Sequence, residues 1–247
     1  MKKIVINADD FGLTEAVSLV IVSGHKNGNI SSTSLMVNME YVNEAINLAK
    51  ECPKLGLGIH LNVTVGKPIL NPEDISSLVD KNGNFFSSKD YSANKVNINE
   101  GDLLKEFEAQ ISKFIELVGR IPEHINCHHL YDFFGIYPNV TEILIKKYGV
   151  PMRLMQNHRN YKYQLAKKID ILMDNNITED EVCRYFRENL KDTLVELPNH
   201  SGFVDKALMK VSSLNIGRTN DLYICKSAKV RDVLKELGYE IVPWAKI

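Results

Sequence analysis

Three β-rich runs of this chain end in residues able to bind a metal or move a proton. Asp9-Asp10 follow Ile4-Val5-Ile6, His60 sits near the close of Gly58-Ile59-His60-Leu61, and His128-His129 follow the run at 124–127. Carboxylate and imidazole ligands that leave coordination positions open suit a divalent metal that activates water. Asp10, His60 and His128 are separated by 50 and 68 residues, so they are not local ligand pairs. They converge only if the strands that carry them are neighbours. In βα architectures the working groups do lie at the C-terminal ends of strands, on the loops that follow. Plainer readings stand beside this one. Asp-Asp after a strand can be a helix-initiating turn. A histidine in an apolar strand can be a hydrogen-bonded core residue, and His128-His129 can be half-buried and structural. His25 and His158 have no chemical company and are read as structural; His124, before Ile125, is read as a local hydrogen bonder.

The elements that must position these groups alternate short β-rich runs with longer helical patterns, the mark of a parallel sheet. Ile4-Val5-Ile6 is the first strand, and a loop is expected through Asp9-Asp10-Phe11-Gly12. Thr14 and Glu15 can start a helix that ends near Asn27-Gly28. Ser34 to Val37 reads as a second strand, Glu44 to Lys50 as helix, and Gly58 to Leu61 as a third strand. Residues 65–99 are rich in Gly, Pro, Asn, Ser and Lys, which predicts a long irregular lid or substrate loop. Leu103, Leu104, Phe107, Ile111, Phe114, Ile115 and Val118 have helical spacing, predicting a helix from Asn99 to Val118. Further strands are expected near 124–127, 151–155 and 193–197, with a last one at Ile241-Val242. Helices are expected near 138–148, 179–190 and 227–237. With no repeat, low-complexity tract or linker, the pattern predicts one barrel-like α/β domain over residues 1–247, of about seven βα units.

Composition narrows the function classes. The 247 residues are 44% hydrophobic and 25% charged, ordinary for a globular protein and incompatible with a fibrous or disordered chain. Lys plus Arg is 30 and Asp plus Glu 31, a net charge of −1, so the basic excess of a duplex-binding domain is missing. No apolar run approaches the roughly 18 residues of a membrane span. The apolar stretch at the N-terminus is too short for a signal peptide and ends in two acids. Cys52, Cys127, Cys183 and Cys225 are far apart and form no CxxC, which suits reduced thiols. These features predict a cytoplasmic protein whose main partner is neither nucleic acid nor membrane.

Longer segments carry a resemblance. Val5-Ile6-Asn7-Ala8-Asp9-Asp10-Phe11-Gly12-Leu13 resembles the opening motif of the YdjC-like carbohydrate deacetylases, the family of chitooligosaccharide deacetylase. Ser32 to Met39, Gly56 to Asn62 with Gly66-Lys67-Pro68, and Gly119 to His129 are similar to its next three segments. Asn199-His200-Ser201-Gly202-Phe203-Val204-Asp205 and Ser212-Ser213 with Arg218 resemble its late motifs. Together they run from residue 4 to about 222.

The resemblance implies a distorted (β/α) barrel with about seven parallel strands that removes N-acetyl groups from sugars with one divalent metal, Mg or Zn foremost and Co or Mn as alternatives. It implies Asp10, His60 and His128 as ligands, Asp9 as general base and His200 as general acid. His200 lies in a turn-like segment after the predicted strand Leu194 to Leu197, which places it on the same barrel face as Asp9 and His128. The implied substrates are small N-acetylated sugars or chitooligosaccharides, and a homodimer is the implied assembly. Where the family commonly reads Asp-Ser-His-x-His-Val-His, this chain reads Asn126-Cys127-His128-His129-Leu130-Tyr131-Asp132. The ligand His128 is kept, while Asn126, Leu130 and Asp132 depart. His-Pro-Gly becomes His200-Ser201-Gly202, and the acid after the late arginine is Asp221. Two other readings fit the same pocket: a sugar-binding or regulatory protein with little turnover, and a metal hydrolase of another amide or ester.

Overall fold

The computed structural model describes residues 1–93, 95–129, 137–153, 165–172 and 176–247. Among the described residues seven strands form one sheet: β1 (Lys2–Phe11), β2 (Ser32–Leu35), β3 (Gly56–Leu61), β4 (Ile125–Cys127), β5 (Lys167–Lys168), β6 (Leu194–Asn199) and β7 (Tyr239–Ile241). Every pairing among these seven strands is parallel. The order is β4-β3-β2-β1-β6-β5, with β7 added along the start of β1. β1 to β3 are buried almost throughout, as strands covered on both faces must be.

The helices α1 (Glu15–Lys26), α2 (Val42–Lys50), α3 (Ser88–Ser92), α4 (Glu100–Val118), α5 (Tyr137–Tyr148), α6 (Glu179–Asn189), α7 (Leu208–Val211), α8 (Ile216–Lys226) and α9 (Ala228–Glu236) connect or flank these strands. Thr14 caps α1 by accepting from the Val17 N–H. Asn99 does the same for α4 through the Asp102 N–H, and Gly119, at φ 79°, ends α4 in the left-handed conformation that glycine adopts at least cost. The expected spacing in α4 holds: Leu103, Phe107, Ile111 and Phe114 are fully buried, each stabilising the fold by roughly 1.5–3 kcal/mol.

The sheet curls. In sheet order β4 and β6 are separated by three strands, yet Arg153, whose N–H bonds the carbonyl of Ile125 in β4, reaches Glu196 in β6 with its side chain. Only a sheet bent around an interior allows that contact.

Several expectations change in detail. The loop predicted through Asp9-Asp10 lies inside β1, which continues to Phe11. The 65–99 stretch contains a 3-10 segment, Pro72–Leu78, and α3 rather than irregular chain alone. The strand expected at 151–155 contributes a parallel bridge between Met152 and Ile125, and residues 154 and 155 lie outside the described residues. β5, α7 and α8 were not foreseen. His124 is not a local hydrogen bonder: it is fully buried, neither ring nitrogen has a hydrogen-bond partner, and its ring stacks on Trp244. Gly58 makes room for it, because a Cβ there would stand 2.2 Å from the His124 ring. All four cysteines are free and buried, as their spacing suggested.

Candidate metal centre and catalytic site

Two carboxylates in sequence on a regular strand point to opposite faces. β1 escapes that geometry at a bulge. Its register with β2 shifts between Ala8 and Phe11, and Asp10 takes φ 67°. One residue in a left-handed conformation re-aims its side chain, so Asp9 and Asp10 both face the barrel interior. Both are buried.

Asp10 is the hub. Its Oδ1 lies 2.9 Å from His128 Nδ1 and 3.1 Å from His60 Nε2, and its Oδ2 accepts from Arg218 Nη2 at 2.7 Å. Burial alone would raise the Asp10 carboxyl, but His128 and the Arg218 guanidinium outweigh it and hold it well below the usual carboxylate range. The oxygen of Asp10 and one nitrogen each of His60 and His128 fall within 4.8 Å of one another, and all three residues are buried.

His60 is oriented from behind. Its Nδ1 is 2.7 Å from Asn126 Oδ1. The Asn126 amide nitrogen is committed as donor to Ser34 Oγ and Asp9 Oδ1, so its oxygen accepts the His60 Nδ1 proton. In the neutral ring that leaves Nε2 as the lone-pair nitrogen, facing Asp10 and without a hydrogen-bond partner; burial would lower the pKa of the ring, but Asp9 and Asp10 outweigh it and raise it. This orphaned, buried nitrogen is the structural test of a metal ligand set, and the residues pass it. The interior charge agrees: among the described residues, Asp9, Asp10 and Glu196 face two buried guanidiniums, those of Arg153 and Arg218.

Asp9 is held differently. Arg153 spans it with Nη1 to Oδ2 at 2.6 Å and Nη2 to Oδ1 at 3.0 Å, while its Nε and Nη2 bind Glu196. Asn7 Nδ2 also donates to Oδ1 at 2.8 Å, beside Asn126 Nδ2 and Ser34 Oγ. Burial pushes the Asp9 carboxyl up, yet Arg153, then His60 and His200, keep it far below its ordinary value. Asp9 is therefore ionised at neutral pH and anchored in one orientation. His200 Nε2 stands 3.8 Å from Asp9 Oδ2. The His200 backbone N–H donates to Asp221 Oδ2 at 2.7 Å, which ties the residue after β6 to α8. Burial lowers the His200 pKa, partly offset by Asp10 and Asp9.

Asp9, Asp10, His60, His128, Arg153, His200 and Arg218 line one cavity of about 500 Å³, open to solvent, whose walls include Thr64-Val65, Ser87-Ser88 and Ser212-Ser213. The loop predicted at 65–99 thus contributes to the wall. All five site residues chosen from the sequence, Asp9, Asp10, His60, His128 and His200, reach this cavity. Leu130 and Asp132 lie outside the described residues, as does His158. Sequence reasoning missed Arg153 and Glu196. The signal was present as a lone arginine within the apolar run Val150-Pro151-Met152-Arg153-Leu154. A charge in such a run, once buried, needs a partner of opposite sign.

The chain matches the family model described as YdjC-like protein over residues 3–236. It is 32% identical over 251 residues to a carbohydrate deacetylase of Clostridium beijerinckii, with 99% of this chain and 100% of the relative covered. It is 31% identical to a chitooligosaccharide deacetylase of Proteus mirabilis, with 96% of each chain covered. A crystal structure of a protein from Enterococcus faecalis V583, named for cellobiose-phosphate cleavage, superimposes with a TM-score of 0.87 at 28% identity, over 99% of this chain and 98% of that one.

Proposed function

This chain belongs to the YdjC-like protein family, and from that premise we propose that it is a metal-dependent carbohydrate deacetylase that releases acetate from small N-acetylated sugars, chitooligosaccharides among them. The carrying observation is the buried Asp10-His60-His128 cluster with the His60 Nε2 lone pair turned into it. In this reading these three residues hold one divalent ion, Mg or Zn foremost. Strands from residue 2 to residue 241 share the sheet that positions them, so residues 1–247 work as one catalytic unit.

An amide carbonyl is a poor electrophile and neutral water a poor nucleophile. The ion supplies Lewis acidity toward both the acetyl carbonyl and water. Asp9, fixed and ionised by Arg153, accepts the proton of the attacking water at its Oδ2 edge, which faces His200. The proton taken up by Asp9 passes across that edge to His200, which delivers it to the departing sugar nitrogen, since the nitrogen leaves as an amine only once protonated. Arg218 keeps Asp10 ionised and in place, and the Asp221 contact seats His200.

The test is product analysis on N-acetylated mono- and disaccharides. Acetate and a free amino sugar in equal amounts are expected. Sugar binding without acetate would contradict catalysis, and release of acetate only from esters would favour the rival hydrolase reading.

A further inference from the structure

Glu196 is a buried carboxylate that neither the ligand set nor the proton transfers use. It stands inside β6, where its register partner in β1 is Val5 and its carbonyl accepts the Ile169 N–H that follows β5. Its side chain meets the equally buried Arg153. Arg153 Nε lies 3.0 Å from each Glu196 oxygen, and Nη2 lies 2.5 Å from Oε1. The other edge of the same guanidinium, Nη1 with Nη2, holds Asp9. Arg153 lines the catalytic cavity, and Glu196 stands behind it.

One carboxylate would suffice to pair a buried arginine. Here two take different edges of one rigid fork. The N–H of Nε, both of Nη2 and one of Nη1 are spent on Glu196 and Asp9, out of the five that a guanidinium carries. The Arg153 backbone N–H is also bound, to the Ile125 carbonyl, so the guanidinium is fixed at both ends. Its orientation matters because the two Asp9 oxygens differ. Oδ1 accepts from Asn7, Asn126 and Ser34 as well as from Arg153 Nη2. Oδ2 accepts from Arg153 Nη1 and stands 3.8 Å from His200 Nε2, so it is the oxygen with a lone pair left for the proton of water.

We propose that Glu196 is a positioning residue for the reaction: it holds the Nε–Nη2 edge of Arg153, and the fork so fixed turns Asp9 Oδ2, rather than Oδ1, toward His200 and the attacking water. The proposal rests on the deacetylase reading, in which Asp9 is the base. It adds a residue that acts through Arg153 and Asp9 instead of touching the reacting atoms. Its loss misplaces a group used in the chemical step, so the loss falls on kcat rather than KM.

Glu196→Gln keeps the size of the side chain but turns an amide NH₂ toward a guanidinium N–H. Glu196→Asp keeps the charge that pairs Arg153, and with it the fold, but its carboxylate is one methylene short of the Nε edge. Each is made in the wild type and in Asp9→Asn. Melting temperature, metal content, and kcat and KM for acetate release from diacetylchitobiose are measured for all. In the wild-type background kcat is expected to fall about 10- to 10²-fold, the cost of a misplacement on the order of 1 Å, with KM and metal content unchanged. In Asp9→Asn, where the base is already gone, the same substitutions should cost nothing further. Normal kcat in either folded variant, an equal loss in both backgrounds, or loss of metal would overturn the proposal. If neither variant folds, Glu196 serves stability and the proposal falls. A wild type that releases no acetate defeats the deacetylase reading itself, whereas acetate release with normal kcat in the variants defeats only the role of Glu196.

Discussion

Neighbouring aspartates here have separate environments, and their substitutions separate accordingly. Asp10 meets two imidazoles and Arg218, whereas Asp9 meets Arg153, Asn7 and Asn126. Asp10→Asn is expected to weaken metal binding. Asp9→Asn is expected to keep the metal and lose about 10²–10⁴-fold in turnover, the range for removing a general base. Metal titration beside acetate release checks both, and near-normal turnover in Asp9→Asn would leave Asp9 as an anchor for Arg153 only. His200 makes a selective demand. An amine must be protonated to leave, whereas an aryl oxide leaves as an anion. His200→Ala should therefore impair amide hydrolysis far more than hydrolysis of an aryl acetate, with metal content unchanged; equal losses on the two substrates would point to positioning instead.

Elements with strong local signals were legible in the sequence, and those made by tertiary contacts were not. The apolar period and Asn99 cap of α4 are local and could be read directly. The bulge in β1 has no local signature, because Asp-Asp reads equally well as a turn; pairing with β2 on one side and β6 on the other keeps the chain in the sheet. The two-residue β5 is too short for any period to show. α8 contains Gly217, Thr219 and Asn220, all poor helix formers, and has no side-chain cap, so packing rather than propensity stabilises it. Yet α8 brings Arg218 and Asp221 to the site. Asp221 is almost fully buried, and burial lifts its pKa to about 6, against the opposing pull of the His200 N–H and Arg218. An acid whose pKa is raised by folding costs stability when ionised. The cost is full above about pH 6 and fades as pH falls toward the unfolded value of 3.8. Asp221→Asn should then melt at a higher temperature than the wild type at pH 8, and the gap should narrow below pH 6 and close only as the pH falls below the unfolded value of 3.8. A gap independent of pH would show that folding does not raise the pKa of this carboxyl.

At the scale of the whole molecule, the curled parallel sheet gathers residues from β1, β3, β4, β6 and α8 into one interior, which is why ligands 50 and 68 residues apart can meet. The fold class was legible, and so was the convergence of the five chosen residues on one cavity, because they stand at strand ends. Arg153 and Glu196 were less so, since their pairing joins segments that only the curl brings together. Among the described residues the interior sets Asp9, Asp10 and Glu196 against Arg153 and Arg218 beside the unpartnered His60 Nε2, an arrangement that a divalent cation would complete. The most direct measurement is acetate release from diacetylchitobiose by chelator-treated protein titrated with a divalent metal, run in parallel with His60→Ala and His128→Ala. The account predicts that chelation abolishes turnover and that one equivalent of metal per chain restores it. Neither variant should bind the metal or recover activity, although both should fold. Full turnover after chelation, or stoichiometric metal binding in both variants, would contradict it.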